Sequence, residues 1–511
     1  MTGEGRKATM SRAGGGGPRV IMLVGFSLLP LLALLILRAA DVPLGQPFFL
    51  VYRYSPFPLG RAAALTIAVP VAAIGLWFLA RGVDAGGVVR RWALLGAGAA
   101  FAAMVIWTFY APPSYLNQRL FDLESPSHSG AFVQEARRVS SIRTYVSKTF
   151  YRRLKQSPEQ MRGRRVLSNP AGMTVLFASA RNAVASRPAF QQFLVDCFGL
   201  VDVEDSTQLI EFSSALLVAF LMTLFWGGAI VVAYALCRLW FAPLAAIAVA
   251  LSCVLNPATL EFTPGKDTFQ LCFVMLILYG WLAAYTKSRP WCAVVGGIAT
   301  VASLMIGLIH AWVLLIVVSA TFWDALVRGR VKQWAQSTCL PFSLAAGVAA
   351  AGVYVAFDWN VFRMAFAVAM RYRQMQVPII TDPFYWTLVG LPLFLLFVGP
   401  MLFALVGAMR RDVFDEKAAL GRRMLVCTTC VLAFTYFFGN NNETPRLWIP
   451  FVVLLLVSLS LGRSTFRTES PRTKAVLLLL IGLQVGVTLV HWSLMDVRET
   501  EYRLWTKRMW D

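Results

Sequence analysis

The sequence predicts an all-α polytopic membrane protein of about 13 transmembrane helices, with a large extracytoplasmic loop in its first half. Three observations predict it. Of 511 residues, 58% are hydrophobic and only 14% charged, where a soluble domain carries about 25% charge. Apolar runs of ~20 residues, enough to cross a hydrocarbon core of ~30 Å, recur along almost the whole length. Finally, the basic residues concentrate on alternate loops, as a fixed orientation in a bilayer requires.

Taken in order, residues 1–18 are basic and Gly-rich and read as a disordered cytoplasmic tail. The apolar run that follows lacks a small-residue cleavage site, so it reads as a retained first span and not a signal sequence. Residues 19–511 then form one membrane domain. Its spans lie near 20–37, 62–80, 92–111, 212–236, 241–258, 268–286, 291–306, 309–327, 339–357, 385–409, 424–438, 447–462 and 475–492. With the N-terminus inside, the short inner segments hold 22 of the 47 Lys and Arg and the short outer ones 12, the remainder lying in the long loop. Arg90-Arg91, Arg328/Arg330/Lys332, Arg410-Arg411 and Arg422-Arg423 all fall inside. The inner loops look short and basic, with little to build a pocket from.

The long loop, 112–211, reads as a subdomain carrying amphipathic interfacial helices. Phe132, Ala136, Val139, Ile142 and Val146 recur at helical spacing over 130–154, accompanied by Arg137, Arg138, Arg143, Arg152 and Arg153. A basic amphipathic helix of this kind lies in the headgroup plane. A second greasy segment, 170–186, is too short and interrupted to count as a span. If it did cross, every later side assignment would invert.

The formal charge of +21 would point to nucleic acid in a soluble chain. Here it marks cytoplasmic loops that meet anionic headgroups, so membrane lipids are expected as partners and nucleic acid is not. The eight cysteines are scattered and show no disulfide framework; Cys427 and Cys430 sit in an apolar run, where packing is their expected role. No phosphate-binding nucleotide loop, zinc helix or serine elbow is present.

Four polar segments share the outer side. In the long loop, Asp122 and Glu124 are spaced to bind a divalent cation or to supply a general base. His128 follows beside the flexible Gly130, and Glu135 stands on the first helix face. The same loop holds the dipeptide Asn169-Pro170. The second segment, Pro264-Gly265-Lys266-Asp267, ends at a span; Asp267 suits the helix dipole there, yet a charge at a membrane boundary is a functional candidate. Arg371 lies on the third. On the fourth, three asparagines precede Glu443 and Arg446, whose planar fork fits a phosphate. His310 and His491 lie in or beside apolar runs and read as structural.

Together these segments resemble the GT-C glycosyltransferase superfamily, polytopic enzymes that use polyprenyl-phosphate sugars, in its bacterial mannosyltransferase-like branch. Asp122-Leu123-Glu124 is similar to the superfamily's first-loop acidic pair. Gln134-Glu135-Ala136 and Ser168-Asn169-Pro170-Ala171-Gly172 are similar to an EA-containing helix and an H-P-P-G-like turn, with Asn and Ala replacing the His and second Pro. The 443–448 stretch resembles a late E-x-x-R-x-W element. Three spans precede the acidic loop here, where the superfamily has one. The resemblance implies sugar transfer with inversion to a glycan, lipid or protein acceptor at the outer face of a bacterial plasma membrane. Asp122 or Glu124, with His128, would act catalytically; Glu135, Asn169, Lys266, Asp267, Arg371, Glu443 and Arg446 would hold substrate and phosphate. No cofactor is required, although Asp122 and Glu124 could hold Mg²⁺ or Mn²⁺. Rival expectations are a transporter or flippase of lipid-linked or anionic solutes, and a non-catalytic membrane assembly protein.

Overall fold

The computed structural model describes residues 16–42, 44–46, 50–54, 58–84, 86–110, 130–161, 166–198, 206–375, 383–407, 415–438, 447–467 and 470–498. It is a helical membrane protein. Among the described residues, 8 helices are long and apolar enough to cross a bilayer, and a ninth span results if the bent pair Leu388–Phe397 and Pro400–Gly407 counts as one. Four shorter apolar helices accompany them: Thr66–Arg81, Pro243–Val254, Pro290–Ile306 and Ile449–Leu461. Large apolar side chains such as Trp92, Val348, Val355 and Val406 remain exposed on the outside of the bundle, as lipid contact requires.

Two apolar segments are interrupted where continuous helix is expected over 241–258 and 385–409. Helix Pro243–Val254 stops before Asn256, whose side chain caps the next helix, Pro257–Glu261, in a reciprocal box with Thr259. Proline at the first helical position needs no N–H, so the chain restarts there without loss. The second break lies between Phe397 and Pro400, where the axes diverge by 98°. Gly399 there has φ +90, and a β-carbon on it would lie 3.0 Å from the Gln484 amide. The two breaks touch, because that same β-carbon would stand 3.5 Å from Asn256. Gln484 donates to the Leu255 carbonyl at 2.6 Å, satisfying a helix-end acceptor that lacks an intrahelical partner.

The long loop folds against the bundle. The single helix expected over 130–154 is instead broken: Gly130–Ala136 ends, the chain turns, and Ser141 caps a new helix by accepting from the Thr144 amide. A π turn at Tyr145–Thr149 follows, then Phe150–Leu154. The apolar stripe therefore faces protein. Phe132, Val133, Tyr145, Val146 and Phe150 are buried in one core with residues of the 206–237 and 290–306 helices and with Trp359 and Met364. Helix Gly172–Ala185 belongs to the same core and is not among the helices apolar enough to cross.

A small antiparallel sheet joins two segments far apart in the sequence. Leu44–Gln46 pairs with Leu50–Tyr54, which pairs with Met495–Arg498, so the segment after the first apolar helix lies beside the segment after the last.

Candidate functional site

Lys266 is the first residue of a 22-residue helix, where the backbone dipole opposes a cation. Its side chain is also largely buried, at 11% exposure. Burial of an ammonium demands strong partners, and two are present. Nζ donates to Asn169 Oδ1 at 2.6 Å and stands 3.2 Å from the Asp267 carboxylate. Asn169 and Lys266 are 97 positions apart, so the long loop and the 264–267 turn meet here.

What brings Asn169 there is the turn that follows it. At Gly172 a β-carbon would sit 2.2 Å from the Met305 carbonyl oxygen, well inside van der Waals contact. The first turn of helix Gly172–Ala185 is thus pressed backbone to backbone on the end of helix Pro290–Ile306. The 358–371 segment closes the other side. Ala171 N–H points at Met364 Sδ, 3.5 Å away, the Tyr151 hydroxyl donates to the Asn360 carbonyl at 3.4 Å, and the Arg363 guanidinium lies over the Tyr151 ring. Three of the four polar segments singled out in the sequence are therefore in contact at one end of the bundle.

Glu135 does not sit on an open helix face. At 4% exposure it accepts hydrogen bonds from Arg153 and from the Tyr145 hydroxyl, while Arg138 stands 3.7 Å from its other oxygen. Burial pushes the Tyr145 phenol well above its ordinary range, overriding the Thr174 hydrogen bond and the Arg138 charge. Arg137 pairs with the buried Glu211, fixing the loop's first helix to the start of the 206–237 helix. Arg371 ends helix Val361–Arg371 and donates to Gln374 at 2.7 Å. Asp122, Glu124, His128, Glu443 and Arg446 lie outside the described residues. Among those described, no group of three His, Cys, Asp or Glu is placed to hold a metal ion.

Below Lys266, a polar chain runs along the same helix face into the apolar core. Gln270, one turn on, donates to Ser303 Oγ at 3.0 Å and meets His310 Nδ1 at 2.9 Å. Gln270 Oε1 and His310 Nε2 are buried and find no hydrogen-bond partner among the described residues. The sequence reading missed Gln270, although a polar residue four positions after Lys266 on a helix shares its face. His310, expected to be structural, is part of this polar chain.

Helix Val361–Arg371 adds an apolar feature to the same end. Val361, Met364 and Val368 are buried, whereas Phe362, Phe366 and Met370 are exposed on its opposite side. Outside a span, such a helix suits the boundary between headgroups and acyl chains.

The short basic loops at the other end of the 266–287 helix, expected to offer little, frame a pocket instead. Asp324, 2% exposed, is gripped by Arg328 and Arg423 and accepts from the Tyr285 hydroxyl at 2.6 Å. Arg423 and Asp324 are 99 positions apart, a separation that loop composition does not reveal. Comparison with protein-family models, with curated proteins and with solved structures gives no match.

Proposed function

We propose that this chain is an integral-membrane glycosyltransferase. It moves a sugar from a polyprenyl-phosphate donor to an acceptor hydroxyl outside the cytoplasm, with inversion, in a bacterial plasma membrane. The observation that carries the reading is the buried Lys266 ammonium, held by Asn169 and Asp267 against its own helix dipole. A cation kept in so unfavourable a place suits an anionic ligand, and the leaving phosphate of such a donor is one. The exposed Phe362, Phe366 and Met370 on a segment touching this cluster offer the donor's hydrocarbon chain a surface.

The full topology belongs to the proposal. Eight long helices, the bent pair and four shorter helices supply one helix for each of thirteen crossings. Strict alternation then puts the 166–172 turn, Lys266, Gly307, Asn360 and the 495–498 strand on one side, and Tyr285, Asp324 and Arg423 on the other. The contacts described above never join the two sets, which supports this count. The excess of Lys and Arg on the second set supports its being cytoplasmic.

In the reaction, Asp122 or Glu124 removes the acceptor proton, with His128 beside them. The acceptor oxygen attacks the anomeric carbon opposite the leaving phosphate, which inverts configuration. Lys266, Arg371 and Arg446 balance the charge developing on that phosphate, and one such donor is worth ~3 kcal/mol of transition-state stabilisation. Glu443 and Asn169 orient the sugar. Mg²⁺ or Mn²⁺ on Asp122 and Glu124 is compatible with this scheme but not required by it.

The test is turnover of a panel of polyprenyl-phosphate sugars by purified protein, read as released lipid phosphate. The double variant D122N/E124Q is expected to bind donor and release none. Normal transfer by that variant refutes the catalytic assignment. A transporter is the second reading, favoured by the two helix breaks that touch at Gly399 and Asn256, since broken helices form substrate sites in transporters. It requires donor to cross sealed vesicles intact, with no phosphate released.

A further inference from the structure

At the far end of the 266–287 helix from Lys266, ~33 Å away along its axis, a cavity of about 270 Å³ opens between helix ends. Its polar lining includes Lys287, Arg328, Arg330 and Lys417, against the acids Asp324 and Glu416. Both acids are already engaged. Asp324 is paired with Arg328 and Arg423, and Glu416 with Arg328. Lys287, Arg330 and Lys417 enter no ion pair or side-chain hydrogen bond among the described residues. Three cations with no ion-pair partner among the described residues thus line one concavity, Lys417 being near enough to Asp415 to help lower its pKa.

Helix dipoles explain only part of this. Lys287 and Arg328 stand at helix C-termini, where a cation is favourable. Arg330 lies beyond the last turn of its helix, and Lys417 sits in the first turn of helix Glu416–Phe438, where the dipole opposes it. Like charges converge at that cost where an anion fills the space. The volume is near the lower end of small-ligand pockets, the size of a polar group rather than a whole lipid. Several donors from different elements match the oxygens of a phosphate better than a single carboxylate.

We propose that this pocket binds a phosphate group, and that its source is the headgroup of an anionic lipid of the leaflet at that end of the bundle. The half-buried Trp334 in the lining suits the headgroup level. Asp324 acts as the positioning residue, holding Arg328 on the wall. The proposal rests on the membrane bundle alone and not on sugar transfer.

The test uses the purified full chain in zwitterionic detergent, with thermal midpoint as readout, titrated separately with dihexanoyl phosphatidic acid, inorganic phosphate and dihexanoyl phosphatidylcholine. Phosphatidic acid is expected to raise the midpoint saturably and the zwitterionic lipid not to. Each exposed cation contributes about fivefold in affinity, so K287Q/R330Q/K417Q should lose on the order of 100-fold. Lys417→Gln alone should lose about fivefold, and Lys417→Arg should keep wild-type binding. If inorganic phosphate acts as strongly as the lipid, the phosphate site stands and its ligand comes from solution. A wild-type protein that responds to neither anion, or a Lys417→Gln and triple variant that bind as wild type does, overturns the proposal.

Discussion

Glu135 offers the sharpest test of how the long loop is held. Replacing it with Gln takes the Glu135 carboxylate away from the Arg153 guanidinium, which is 15% exposed. Breaking one side of a buried ion pair costs about 3–5 kcal/mol. Arg138 adds little, because it is 69% exposed and such pairs contribute under ~1 kcal/mol. Gln retains an acceptor for the Tyr145 hydroxyl, so Glu135→Ala should be worse by about 1 kcal/mol. The loop's local opening is read by the rate at which a nonspecific protease cuts within 130–198. At about 1.4 kcal/mol per decade, E135Q should be cut about two to three and a half decades faster, provided reclosing outpaces cleavage. The double variant E135L/R153M removes both charges and should approach wild type, since an apolar pair of similar volume replaces a buried ion pair at little cost. Cleavage of E135Q within threefold of wild type, or a double variant as labile as the single, would refute the reasoning.

Three further outcomes follow from the geometry. Gly172→Ala places a methyl 2.2 Å from the Met305 carbonyl, so the turn must shift and the thermal midpoint should fall by the equivalent of about 1–3 kcal/mol; an unchanged midpoint contradicts the contact. Gly399→Ala forces a side chain into φ +90 against Gln484, with a similar expected loss of about 1–3 kcal/mol, and a neutral result removes the argument that the two helix breaks are locked together. Asp415 responds to pH: burial raises its pKa, but the Arg467 hydrogen bond and charge and the Ala418 amide outweigh burial and hold it below 3.8. A depressed carboxyl stabilises the fold above its unfolded value and loses that contribution as pH falls through the folded one. The stability difference between wild type and Asp415→Asn should therefore be constant from pH 7 to about 5 and vanish on further acidification; a difference that grows on acidification has the wrong sign.

Most of the helices were legible because spanning segments need long apolar runs and nothing else in the chain supplies them. The interruptions were written in Asn256-Pro257 and Gly399-Pro400, signals that apolar content overrides when a run is read by hydropathy alone. The loop misled for a different reason. Residues 130–154 carry a helical stripe and a basic face, the pattern of a helix on a lipid surface, but the stripe meets protein and Ser141 restarts the helix. Asn169 and Lys266 were visible as candidates, yet their contact depends on Gly172 approaching a backbone 133 positions later, which no local pattern encodes. The Asp324 cluster was hidden for the same reason, although an acid inside an apolar helix is itself a signal.

The most direct test is sidedness. Single cysteines at 124, 186, 443 and 417, in a cysteine-free background, are labelled with an impermeant maleimide in sealed vesicles of known orientation. Residues 124, 186 and 443 should label from one face and residue 417 only from the other. Labelling of 124 and 443 from opposite faces would leave no common pocket at the rim, and the transferase proposal would fall with it.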